Sequence, residues 1–563
     1  MFHVRHFGLH VAVASLAATA LASVAGELHL AWTLIPLATC ALGARDLIQR
    51  RHSVLRNYPI IGHFRFMFEA IRPELRQYIV ESETEETPFS RAQRSLVYQR
   101  SKNDRDSRAF GTEMKVKENG HEWLSHSLAP TSIVGQDFRV VVGANRSQPY
   151  SLSVLNISAM SFGALSAAAI RALNLGAKKG NFAHDTGEGS LSVHHREHGG
   201  DLIWEIGSGY FGCRKDDGSF DPDAFVKRAT LSQVKMIELK LSQGAKPGHG
   251  GLLPAAKITA EIAEARGVPM GQDCVSPASH SEFSTPQQLL EFIEQLRNLS
   301  GGKPTGFKLC IGSPWEFFGI AKAMLESGIL PDFIVVDGAE GGTGAAPVEF
   351  VDHVGTPLQE GLLLVHNTLK GLGLRDQIRI GASGKLISAY DIARTLAIGA
   401  DFINIARGFM MSIGCIQARS CNTDKCPTGV ATQDASRQKA LVVPDKAERV
   451  YNFHRNTLHA LKELLQAAGL THPGELRAYH FMRRVSDFEV APLSDLLEEL
   501  EPGDLLTGNY RHRVYQKWWE AASSQSFTLS SGARERADAA SRKPSVIWCK
   551  VEGPVDMAVA PAV

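Results

Sequence analysis

From residue 153 onward the chain alternates between short apolar runs of strand character and longer stretches with apolar positions three and four residues apart. The strand candidates are 154–163, 181–189, 234–242, 268–276, 306–313, 332–342, 377–384 and 401–409. Helical patterns such as LSAAAIRALNLGAKK, AAKITAEIAEAR and TPQQLLEFIEQLRNL separate most of them. Eight strands alternating with helices predict a parallel α/β fold closed into a (β/α)8 barrel of TIM type, with an open doubly wound sheet as the alternative. The interval 190–233 is irregular and predicts an inserted excursion. Chemistry in such a fold gathers at the C-terminal ends of the strands.

Ahead of this region lie two apolar runs, Phe7–Gly26 and Leu28–Ala44, with Glu27 as the only charge between them. The first is long enough to cross a bilayer. Arg5 precedes it, and Arg45, Arg50, Arg51 and Arg56 follow the second. That asymmetry predicts a transmembrane hairpin with both ends in the cytoplasm, hence a protein of the inner (cytoplasmic) membrane whose catalytic part faces the cytoplasm. A signal peptide cut near Ala25 is the rival, opposed by the second apolar run. An amphipathic surface helix does not suit either run, since neither has a charged face. The expected division is a hairpin over 1–50, a polar lead-in wrapping the barrel over 51–150, the barrel over 151–470, and a polar, partly helical tail over 471–563.

Composition narrows the class. The 563 residues are 44% apolar, ample for a large core, and a net charge of +1 leaves no electrostatic footprint for nucleic acid. The eight cysteines suit a reducing compartment better than a disulfide scaffold, because five are scattered singly. The other three, Cys415, Cys421 and Cys426, crowd into one loop that ends in Pro427. Soft thiolates with a Cys-Pro ending point to an iron–sulfur cluster. Three ligands suffice for a three-iron cluster, and Asp424 is a candidate fourth ligand for a four-iron one. Zinc would need a fourth ligand, and no His lies between Cys415 and His454.

Glycine-rich ends follow the last three strands: Asp337-Gly338-Ala339-Glu340-Gly341-Gly342, then Gly384-Lys385 opening a helix, then Ala406-Arg407-Gly408. Bare backbone N–H groups after strands seven and eight are where barrels hold a phosphate. Read singly, each is also a tight turn needing positive φ. No G-x-G-x-x-G turn appears, so a mononucleotide flavin is expected, not a dinucleotide. Two further segments stand out: Asp185–Gly189 after the second strand candidate, and Gln243–Gly251 after the third. The latter sets Gln243 and Lys246 on a flexible reactive-face loop, and Arg266 lies close enough in sequence to fork onto a carboxylate. Such donors suit a dicarboxylate oxo acid.

The cysteine spacing C-x5-C-x4-C followed by PTGVATQ resembles the cluster loop of the FMN-containing synthase domain of glutamate synthases, and the likeness extends over roughly residues 75–470. The resemblance implies FMN, a [3Fe-4S] cluster and reductive amination of 2-oxoglutarate to L-glutamate through 2-iminoglutarate. It implies that Met160 and Ser161 lie against the isoalloxazine and that Lys308 sits by its N1/O2 edge. It matches Glu188, Gln243, Lys246 and Arg266 to the oxo-acid contacts, with Lys246 polarising the reacting carbon and Glu188 giving a proton. His249 departs from the family's glutamate at that place, which opens the identity of the amine or oxo acid. Neither the family's glutaminase nor its glycine-rich β-helix is visible, nor is a nicotinamide fingerprint. Ammonia would then come free or from a separate subunit, and electrons from a donor protein such as a ferredoxin or reductase. An N-alkylglutamate-forming enzyme, a non-catalytic membrane redox subunit and a flavin barrel oxidising 2-hydroxy acids are the alternatives; the last leaves the cysteine loop without a purpose.

Overall fold

Residues 6–84 and 88–540 are described by a computed structural model, with side chains to residue 535. Arg5, Cys549 and the end of the tail lie outside them. The chain forms two compact units, divided after Arg91.

The first unit holds two helices, Phe7–Val24 and Leu34–Ile48, the second led in by a single 3-10 turn over Leu30–Thr33. By length and mean hydropathy (1.8 and 1.2) Phe7–Val24 and Leu30–Ile48 could each cross a membrane. The polar lead-in hides a short helix, Ser53–Asn57, and a longer one, Gly62–Leu75, that the sequence does not single out.

The second unit is a closed barrel of eight parallel strands. They are β1 (Leu155–Ile157), β2 (His184–Asp185), β3 (Leu202–Ile206), β4 (Val234–Lys240), β5 (Thr305–Leu309), β6 (Phe333–Asp337), β7 (Arg379–Ser383) and β8 (Phe402–Ile405). Strands covered on both faces carry near-continuous apolar runs, and β3, LIWEI, is buried at every position. The closed barrel was expected; two of its strands were not placed correctly. β3 lies inside the interval read as an excursion, and the candidate 234–242 is therefore the fourth strand. The candidate 268–276 is no barrel strand: Cys274–Val275 pairs antiparallel with Leu252–Leu253 in a small side sheet. Its Pro269 and Gly271 interrupt the ladder that a barrel strand must make.

Side-chain caps start the barrel helices. Ser166 accepts from Ala169 N–H, and Thr285 precedes Pro286 and accepts from Gln288 N–H. The long helix Val443–Ala467 closes the ring after β8 and packs on Ala167–Gly180, where Gly176 leaves no room for a methyl beside Val450. A hairpin of Arg139–Val142 and Tyr150–Ser153 plugs the N-terminal face, its Val142 and Leu152 joining Ile203, Met236, Phe333 and Phe402 in one core. The lead-in and the tail meet in a three-stranded sheet, Glu122–Leu124 against Phe481–Arg484 against Val490–Pro492.

At the foot of the barrel Asp332, 5% exposed, accepts from Arg146 Nε at 2.6 Å, Arg297 Nε at 3.1 Å and Thr305 N–H at 2.8 Å. Removing that carboxylate leaves buried Thr305 N–H unpaired and takes one of its two carboxylate partners from buried Arg297, which keeps Glu294. Asp332→Ala is expected to lower the unfolding free energy of the barrel by about 3–5 kcal/mol in chemical denaturation, whereas a change under about 1 kcal/mol would mean the network is idle.

Candidate active site

At the C-terminal rim the loop after β2 turns sharply. Asp185 Oδ1 accepts from Gly187 N–H at 2.9 Å, and Gly187 adopts φ +65° with no room for a methyl, which would lie 2.6 Å from Ser161 N. The turn presses against Met160-Ser161 and lifts Glu188 over the mouth. Glu188 meets Lys240, the last residue of β4, at 3.1 Å. Lys240 also donates to Gln243 Oε1 at 2.7 Å. Burial works against ionisation of Glu188, yet Lys240, Arg266 and Lys246 hold its carboxyl below the ordinary value. Burial in turn pulls Lys246 below the usual lysine range, with Glu188 opposing.

Arg266 is 4% exposed, stacks on Phe211 (5.1 Å to the ring centre) and donates to Phe162 O at 3.2 Å. Glu188, Lys240, Gln243 and His249 line one narrow cleft with Ser208 and Pro277. His249 packs edge-on to Phe350 at 5.3 Å. The loop carrying Gln243 and Lys246 is tied down through Gly244, whose N–H donates to Asp337 Oδ2 at 2.8 Å; a methyl there would lie 1.8 Å from Gly338 O. Lys240, at the hub of this arrangement, was missed because a lysine closing a strand reads as an ordinary solvent-facing end.

One layer lower, the barrel interior holds a buried charge cluster. Lys308, next to Lys240 in register, pairs with Glu205 and lies 3.3 Å from Glu238, and Asp185 joins the two glutamates. Among the described residues, these three carboxylates are the Cys, His, Asp and Glu groups whose ligand atoms come together within 4.8 Å. Burial would lower the lysine, but Glu205 and Glu238 hold it well above its ordinary range. Three carboxylates around one ammonium cannot all ionise out of water. Burial with the charge of Glu205 pushes Asp185 up to about 7, and burial with Asp185 pushes Glu238 well up. Glu205 and Glu238 thus offset the positive charge of Lys308.

The phosphate-type turns meet on the same rim. Gly338 N–H donates to Ser383 O, and Arg407 Nη2 donates to Glu340 O at 2.7 Å. A methyl on Gly342 would lie 2.8 Å from Arg407 Cδ, so Gly341-Gly342 leaves that side chain its place. Burial lowers Arg407 to about 10 against Asp337 and Glu340. Bare glycine backbone beside a desolvated guanidinium fits a phosphate-bearing ligand. Gly384-Lys385 does not open a helix as expected. Lys385 takes a left-handed φ of +52°, and the helix starts at Ala389. A capping box starts it: Ser388 Oγ accepts from Asp391 N–H at 3.1 Å, and Asp391 Oδ2 accepts from the N–H groups of Ile387 and Ser388 just ahead of the helix. Gly408 lies in a short helix, Arg407–Ser412, begun from Ala406.

The cysteine loop follows directly. Burial pushes the Cys415 thiol up to about 12, while Gln417 N–H donates to its sulfur at 3.5 Å. Burial also acts on Cys426, but the N–H groups of Ala431, Thr428 and Val430 outweigh it and hold that thiol below its ordinary value. Backbone donors aimed at sulfur suit an anionic cluster. Lys257, 2% exposed, donates to Ala164 O at 2.9 Å, Cys421 O at 3.2 Å and Ala431 O at 3.3 Å, and so ties the loop to the β1 side of the rim.

A barrel with a cationic, glycine-lined mouth and a thiol loop beyond β8 defines a class of redox barrel, and comparison with known proteins makes it specific. Residues 133–471 match the conserved region in glutamate synthase. The glutamate synthase large subunit-like protein YerD of Bacillus subtilis is 39% identical over 81% of this chain and 94% of its own length. The archaeal-type glutamate synthase [NADPH] of Thermotoga neapolitana is 34% identical over 57% of this chain, which spans only 60% of that protein. A lactate oxidase of Pediococcus acidilactici superposes with a TM-score of 0.40 at 13% identity, over 73% of this chain and 92% of its own, too loosely to carry an argument. The chain belongs to the glutamate synthase family and is an oxidoreductase of that type.

The buried cluster makes stability depend on pH. Between the ordinary carboxyl value and about 7, the folded protein keeps a proton on Asp185 that the unfolded chain has released, so stability falls as pH rises through that window. Asp185→Asn is expected to flatten this slope in denaturant midpoints measured from about pH 5 to about pH 8. An unchanged slope would place the proton elsewhere.

Proposed function

We propose that this protein reduces 2-iminoglutarate, formed from 2-oxoglutarate and ammonia, to L-glutamate, using FMN and a [3Fe-4S] cluster while tethered to the cytoplasmic membrane. The observation that carries the proposal is the convergence of Lys240, Lys246 and Arg266 on Glu188 at the barrel mouth, with Gln243 accepting from Lys240 in the same cleft. Arg407 with Gly341-Gly342, and Met160-Ser161 against Gly187, would hold the phosphate and ring of FMN. Bound there, FMN supplies hydride chemistry and accepts electrons singly.

The chain's own residues do the rest. Arg266 and Gln243 orient the dicarboxylate, the guanidinium being pre-set by Phe211 and Phe162. Glu188, held ionised by three cations, accepts a hydrogen bond from the substrate nitrogen, which revises its expected role as proton donor. Lys246, its pKa lowered by burial, is the better acid: hydride to the imino carbon and one proton from Lys246 to nitrogen give the amine. For the cluster, Cys415, Cys421 and Cys426 are the ligands. Asp424 has one carboxylate oxygen capping Gln433 N–H at 2.7 Å, which supports three iron ions over four. Electrons would arrive from a separate ferredoxin or reductase and ammonia free or from another subunit. The two N-terminal helices support the tether.

The test is anaerobic turnover of the dithionite-reduced protein with 2-oxoglutarate and ammonium, glutamine or methylamine, following flavin reoxidation and the product. Ammonium-dependent L-glutamate is expected, and product only with methylamine would favour the N-alkylglutamate alternative that His249 opens. Lys246→Met is expected to cut kcat by about 10²–10⁴. Cys421→Ser is expected to remove iron and its visible absorbance while leaving the barrel folded by circular dichroism; retained iron would refute the ligand set.

A further inference from the structure

We infer that the segment from Gly62 to Val80 is a membrane-surface helix whose apolar face sits in the boundary layer of an anionic bilayer. This rests on the tether proposed above and extends it. The helix over Gly62–Leu75 continues through one wide turn over Arg76–Val80. Phe64, Met67, Phe68, Ile71, Leu75 and Tyr78 follow at three- and four-residue steps, which puts them on one face. All are exposed, Phe64 by 56% and Phe68 by 57%, and Gly62 is the helix's one buried residue. A soluble helix buries such a face.

Charge takes the flank. Arg65, Arg72 and Arg76 lie about 100° from the centre of the apolar face, where long side chains reach headgroups while their stems lie along acyl chains. Glu69, on the same flank, pairs with Arg65 at 2.9 Å, and Glu74 lies on the other. Between residues 45 and 80 seven arginines stand against three carboxylates, a surplus that complements anionic lipid.

The junction with the hairpin fixes the height of this helix. Asp46, 1% exposed, is in the last turn of the second apolar helix. Its carboxylate accepts from Ile60 N–H at 3.0 Å and pairs with His63 Nε2 at 2.9 Å. Pro59–Ile61 closes the open end of the hairpin: a methyl on Gly8 would lie 2.8 Å from Ile61, and one on Gly43 3.2 Å from Ile60. The helix therefore begins where both spans end, at the level of a bilayer surface. This continuity selects lipid over a protein partner as the occupant of the face.

Full-length protein in vesicles of phosphatidylcholine with phosphatidylglycerol would carry a photoreactive phenylalanine analogue at Phe68, at Glu69 on the polar flank, or at Val13 in the first span. Lipid adducts are expected at Phe68 and Val13 and several-fold fewer at Glu69. Lipid capture at Val13 with protein adducts or none at Phe68 overturns this inference and leaves the tether standing. No lipid at Val13 removes the tether and the inference together. Replacing Arg65, Arg72 and Arg76 by Gln is expected to reduce the Phe68 adduct several-fold in these vesicles and not in pure phosphatidylcholine; equal loss in both would contradict the preference for anionic lipid.

Discussion

Charged groups inside the barrel must be paired, and that requirement organises its whole upper half. Lys308 is too deep for water, so Glu238 from the neighbouring β4 and Glu205 from β3 beyond it close on it. Beside it in register, Lys240 on β4 is answered by Glu188 from the loop after β2. The two pairs are joined through Asp185, which belongs to the buried cluster while its carboxylate accepts from Gly187 N–H in the turn that raises Glu188. The mouth is thereby pre-formed: its donors are held before any substrate arrives, which spares the cost of ordering them on binding.

The same logic ties the loops of the rim to one another. The loop after β4 is tied to Asp337 by Gly244, and the loop after β6 reaches Arg407 through Glu340, so Gln243 and Lys246 share one rim with the glycine turns beside Arg407. Lys257 then links that rim to the backbone of the cysteine loop, next to two of its thiols. A buried lysine satisfied by three carbonyls is a rigid strut, and it holds the cysteine loop in fixed relation to the β1 side of the rim.

Much of this was legible in the chain. The eight-strand pattern predicts the barrel because parallel strands buried on both faces read as apolar runs. The cysteine spacing and the glycine turns mark their loops because few other residues fit there. What escaped did so for physical reasons. LIWEI is five residues long and sits among glycines and acids, so its strand is masked by its surroundings. VPMGQDCVS has apolar ends, but its Pro and Gly cannot join a ladder. Glu205 and Glu238 look like outward-facing strand residues until the closed barrel turns them inward toward Lys308. The face of Phe64, Phe68 and Ile71 is diluted by arginines in a segment that reads as merely polar.

If the cations at this mouth recognise an oxo acid with two carboxylates, as proposed, they separate 2-oxoglutarate from pyruvate. The most direct measurement is the perturbation of the flavin spectrum on titrating purified protein with 2-oxoglutarate and, separately, with pyruvate, in wild type and in Arg266→Lys. The account predicts saturable binding of 2-oxoglutarate that Arg266→Lys weakens, with pyruvate binding much more weakly in both. Equal affinity for the two acids, or indifference to the substitution, would contradict it.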